Sequence, residues 1–132
     1  EAGADGKPLA SDPAFKRRFS DTKIALEAIT VTEQRGASAL AGGQNPGAAS
    51  SMLKTARTEM MQRIDTLGIE AAGLYGNVDQ MAARQPGSNV EPVGPAHSLT
   101  AMPRYLNNRA ASIYGGSNEV QRNVMAKLLL KL

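Results

Sequence analysis

The chain has no cysteine and no tryptophan, only two phenylalanines and three tyrosines, and a single histidine among its 132 residues. Without cysteine there is no disulfide framework and no thiol chemistry, a pattern that suits a cytoplasmic protein. No apolar run is long enough for a transmembrane helix, so no membrane partner is expected. The opening Glu1-Ala2-Gly3-Ala4-Asp5-Gly6 has neither a positively charged start nor an apolar stretch, so no signal peptide is expected there. His97 has no neighbour at metal-ligand spacing and reads as a solvated loop side chain, leaving no metal site. The net charge of +3 is mild and both signs are mixed along the chain. Lys16-Arg17-Arg18 is the one dense basic run, and with scattered aromatics it reads as a solvated helix face, so no nucleic-acid partner is expected.

What is present is helical periodicity. Ser11-Asp12-Pro13 combines a side chain that accepts backbone N–H groups with a proline at a position where its missing donor does no harm. The helix it starts is expected to reach about Leu40. Its apolar positions, Phe15, Phe19, Ile24, Leu26, Ile29 and Val31, spread widely enough to imply contacts on more than one side. Ala41-Gly42-Gly43-Gln44 ends it, and Asn45-Pro46 opens a second helix expected to run to about Ala72. There Met52, Leu53, Ala56, Met60, Ile64, Leu67 and Ala71, at spacings of three and four, predict a core stripe. Residues 73–100 lose the pattern in Gly, Pro, Asn and Ser, so an irregular loop is expected over 74–101. A third helix is predicted from near Met102-Pro103 to Ser112, and a fourth from Ser117 to the terminus. With no strand-like alternation and no internal repeat, the expected fold is all-α, one up-and-down four-helix bundle spanning 1–132.

The densest motif is Arg109-Ala110-Ala111-Ser112-Ile113-Tyr114-Gly115-Gly116-Ser117-Asn118-Glu119-Val120-Gln121-Arg122-Asn123. Glycines let a backbone approach a ligand closely, and the free N–H groups of a helix start attract anions. The same residues also suit a plain helix connection, with the glycines making the bend, Ser117 capping and Glu119 favouring the helix dipole.

Tyr114 to Asn123, followed by a helix rich in Ala, Leu and Lys, resembles the C-terminal signature of the acyl-CoA dehydrogenase family. Upstream, the basic helix, the Pro-capped helix containing Ala49-Ser50-Ser51-Met52-Leu53-Lys54 and the loop beyond it resemble that family's C-terminal helical domain. The resemblance implies a piece of a protein about three times longer, with further helical and β domains. It also implies a flavin-dependent enzyme that removes hydrogens from adjacent carbons of an acyl-CoA thioester. In such enzymes a carboxylate takes the α proton while the β hydrogen leaves as hydride to FAD. For matching positions, the resemblance places Gly116, Ser117, Asn118 and Glu119 against FAD, and Tyr114, Gly115, Gly116 and Lys127 against substrate. An electron-transfer flavoprotein or similar acceptor, and a homo- or heterotetramer, are the implied partners.

Three departures qualify what carries over. Many relatives have a glutamate base directly after the residue matching Tyr114, but here Gly115 stands there, so this sequence offers no catalytic residue of its own. Either the base comes from a helix upstream of Glu1, as in relatives acting on bulky or branched acyl groups, or the chain belongs to a non-catalytic subunit. Glu70-Ala71-Ala72-Gly73-Leu74 keeps only one glycine of the family's Gln-Ile-x-Gly-Gly, and Asp12-Pro13 replaces polar flavin contacts. A structural or oligomerisation bundle, and a relative of acyl-CoA oxidases, are the alternative readings.

Overall fold

A computed structural model describes residues 6–131; Glu1 to Asp5, most of the stretch read above for a signal peptide, and Leu132 lie outside the described residues. The first helix, α1, spans Pro13–Ala41, and the Asp12 carboxylate accepts the Ala14 N–H at 2.8 Å as the sequence predicts. The second, α2, spans Ala48–Ala72. It begins two residues later than the proline suggests, because the Asn45 side chain accepts the Gly47 N–H at 2.8 Å and Gly47 turns at φ +50°. That local turn competes with the helix for the same backbone. The third and fourth helices, α3 and α4, span Ala101–Arg109 and Asn118–Leu130, with a 3-10 turn over Ala110–Ser112 between them. Among the described residues there is no β-strand, and no helix is long and apolar enough to cross a membrane. The fold is all-α with four helices, as expected.

Helix α2 is the hub: α1, α3 and α4 each pack on it and meet one another little. Arg18 pairs with Glu70 at 2.9 Å and Arg57 with Glu33 at 2.9 Å, which sets α1 antiparallel to α2. Arg109 of α3 donates to the Gln62 carbonyl at 3.1 Å, while the Gln62 amide returns to the carbonyls of Asn108 and Arg109 at 3.1 and 3.3 Å. Asp65, whose side chain is 2% exposed, accepts from Asn108 Nδ2 at 2.7 Å and faces Arg104 at 3.6 Å. Arg122 of α4 pairs with Glu59.

The buried positions differ from the predicted stripe. Met60 is buried, but Met52 and Ile64 are 42% and 37% exposed, and α2 instead buries Ser51, Thr55, Asp65 and Ala72. Three helices crowding one axis favour small side chains, since these let backbones approach. Their hydroxyls are satisfied locally, as Thr55 donates to the Ser51 carbonyl at 3.0 Å and Thr22 of α1 to that of Arg18 at 2.8 Å. Burial without a lost hydrogen bond removes the usual penalty for polar groups. Ile64 and other apolar side chains line open grooves between α1 and α2, one of 450 Å³ bounded also by Leu26, Ile29, Met60 and Met61 and another of 420 Å³ bounded also by Phe15, Phe19 and Leu67.

The long connection is more ordered than its composition predicts. A 3-10 turn over Gly73–Asn77 opens it and another over Ala96–Thr100 closes it, and Ala101 already belongs to α3. Between them the buried Gln80 side chain accepts the Val93 N–H at 2.7 Å and donates to the Val93 carbonyl at 3.0 Å, acting as a two-point strap. Gly94 follows at φ +83°, and a Cβ there would stand 2.4 Å from the Tyr75 ring. Gly94→Ala is therefore expected to cost about 2 kcal/mol, since left-handed backbone alone costs about 1–2 kcal/mol and Tyr75 must also move. An unchanged urea midpoint would contradict this.

Candidate functional site

The terminal motif forms a turn and a capped helix start. Ala111, fully buried, and the Tyr114 N–H, donating to the Ala110 carbonyl at 3.1 Å, hold the entry to the turn. Gly115 and Gly116 then take φ +66° and +87°, values that only glycine adopts readily. Tyr114, Gly115 and Gly116 are exposed. A Cβ at Gly115 would meet nothing within 4 Å, whereas one at Gly116 would stand 2.6 Å from the Gln121 side-chain nitrogen. The turn therefore presents bare backbone to its surroundings.

Ser117 caps α4, its hydroxyl accepting the Val120 N–H at 3.3 Å. Glu119, in the first turn, is fully exposed, and its carboxylate is held below the usual glutamate range. Its own backbone N–H contributes most to this lowering, followed by the Ser117 hydroxyl and then the charges of Arg122 and Lys54. A carboxyl whose folded pKa is lowered stabilises the fold above its unfolded value of about 4.5 and loses that contribution as pH falls through the folded value. The stability gap between wild type and Glu119→Gln is thus expected at neutral pH and should shrink in acid below that range. Thermal unfolding at a series of pH values checks this, and a gap that widens in acid would contradict it.

Asn118 faces inward and is 3% exposed. Its Oδ1 accepts from Lys54 Nζ at 2.9 Å and from Thr58 Oγ1 at 3.1 Å, both on α2. The backbone N–H groups of Ser117 and Asn118 make no hydrogen bond among the described residues. Lys127 lies exposed in the last turn of α4, about 15 Å along the axis from Ser117 by the helical rise. Any ligand touching both must be extended.

The structure thus brings Tyr114, Gly115, Gly116, Ser117 and Glu119 to one exposed turn, sets Asn118 beneath it and leaves Lys127 at the far end of α4. His97 is exposed and stands apart, beside Asp65 and Arg104 in a cleft of 210 Å³. Sequence reasoning missed Lys54 and Thr58 as members of the site. Their spacing of four puts them on one face of α2, but nothing local announces a partner 60 positions away.

The turn fits a flat, anionic ligand. Two residues without Cβ allow close approach, and two N–H groups uncommitted among the described residues lie at a helix start, where partial positive charge gathers. Within the described residues no cluster of His, Cys, Asp or Glu could hold a metal ion.

Comparison with known proteins places the domain as a whole. The family model described as acyl-CoA dehydrogenase, C-terminal domain, matches residues 1–130. No curated protein sequence gave a significant match. With three helices packed on α2 and a family match across nearly its whole length, the chain belongs to the acyl-CoA dehydrogenase C-terminal domain family.

Proposed function

We propose that the chain is the C-terminal helical domain of a longer, cytoplasmic FAD-dependent acyl-CoA dehydrogenase. In this reading Gly116, Ser117, Asn118 and Glu119 hold the flavin, and Tyr114, Gly115, Gly116 and Lys127 face the acyl-CoA. The observation that carries it is the bare, positive-φ glycine pair running into a helix start with two N–H groups that bond to nothing among the described residues. When bound, the flavin would accept the hydride from the substrate's β carbon. The chain's own part is to bind and orient: the glycines admit the ring system and thioester, the helix start meets negative charge, and Lys127 meets the far, phosphate-bearing end of an extended ligand.

Gly115 offers no proton acceptor, so the base belongs to another part of the longer protein. The open space around Gly115 favours a bulky or branched acyl group. The exposed apolar side chains of α1 and α4, among them Ile24, Leu40 and Leu129, favour burial against other domains or subunits, in line with a tetramer. Electrons would leave to an electron-transfer flavoprotein or similar acceptor.

The test is made on the full-length protein, purified with any partner subunit. It should carry flavin absorbance that bleaches anaerobically on addition of an acyl-CoA. A protein without flavin, or a flavin that no acyl-CoA reduces, would sink the proposal, while rapid oxygen consumption during turnover would favour an oxidase.

A further inference from the structure

The contact that ties the terminal motif to the hub helix is chemically one-sided. Lys54 can only donate, so the Asn118 atom it meets at 2.9 Å must be the amide oxygen. Thr58, on the same face of α2, shares its single hydroxyl proton between the Thr55 carbonyl at 3.0 Å and the same Asn118 oxygen at 3.1 Å. The orientation of the Asn118 amide is thereby fixed, with Nδ2 on the side away from Lys54 and Thr58. Nδ2 makes no hydrogen bond among the described residues, and as it is not one of their fully buried unpaired atoms it keeps an opening to the surface, although Asn118 as a whole is 3% exposed.

We propose that Lys54 and Thr58 are positioning residues, gripping the Asn118 oxygen so that its amide nitrogen and the adjoining Gly115-Gly116 turn are held ready to meet an acceptor oxygen of the bound flavin. This rests on the functional reading above. The grip comes from α2, the helix on which everything else packs, so the turn is referenced to the most constrained element of the domain. A second tie between the same helices, Arg122 to Glu59, lies on the exposed surface, and breaking it at Glu59 controls for loss of interhelical contact while keeping the Arg122 charge that acts on Glu119.

The test compares variants of the full-length flavoprotein, with the dissociation constant for FAD and the visible flavin band as readouts. Lys54→Met keeps the stem and removes the donor, and it is expected to weaken FAD binding about tenfold or more and to shift the flavin band. Thr58→Val keeps the shape and loses the hydroxyl, with an expected weakening of about threefold. Glu59→Gln should leave the constant within about twofold. Should Lys54→Met fail to fold, the comparison of Thr58→Val with Glu59→Gln decides. FAD binding that is unchanged in both Lys54→Met and Thr58→Val, or weakened as much by Glu59→Gln, would overturn the assignment while leaving the functional reading intact. A wild-type protein that binds no FAD would overturn both.

Discussion

Replacing Gly116 with tryptophan is expected to strip FAD from the full-length protein while the helical domain remains folded. The backbone there is at φ +87°, so any side chain meets strain of about 1–2 kcal/mol. The nearest obstruction to a Cβ is the far end of the Gln121 side chain, which can swing aside. An indole would occupy the open space in front of the turn, where the ring system is proposed to lie. A loss of FAD affinity of more than about a hundredfold is expected, far beyond what the local strain could transmit to binding. Flavin titration, run beside circular dichroism to confirm helix content, gives the answer. Retained flavin would show the glycine pair to be only a bend between helices.

Asn108→Leu should be the most destabilising single change at the α2–α3 contact. It removes the 2.7 Å hydrogen bond to Asp65, a carboxylate with 2% exposure, and leaves it only the solvent-exposed Arg104 at 3.6 Å. Losing a hydrogen bond to a buried charged group costs about 2 kcal/mol, equivalent to a melting temperature lower by roughly 7 °C for a domain of this size. Replacing both residues, Asp65→Leu with Asn108→Leu, should recover much of the loss because no charge is then stranded. The informative quantity is the coupling in this double-mutant cycle. Additive effects of the two single changes would count against the argument.

Helix ends were legible in the sequence because their causes are local. Asp12, Gly42 and Ser117 act within a few residues of themselves, and the sequence places α1 and α4 accordingly. Buried positions were not, since Ser51, Thr55, Asp65 and Asn118 take roles that hydrophobic periodicity assigns to Met52 and Ile64. Polar groups become core residues only when another helix, or the turn above, supplies their hydrogen bonds. The site divides the same way. Tyr114 to Glu119 form one contiguous motif, readable as a unit and by resemblance to a known family. The Lys54 and Thr58 grip on Asn118 is tertiary, and it could be read only once α4 lay beside α2.

The Gln80 strap also has a consequence for how the chain reaches its folded state. Its two bonds join positions 13 apart within the connection from α2 to α3. Once they form, the chain left to search is effectively shorter, and the entropy lost when α3 closes onto α2 falls. A single internal amide thus lowers the entropic cost of docking α3 on α2, even though it contributes no atom to the turn at Gly115 and Gly116.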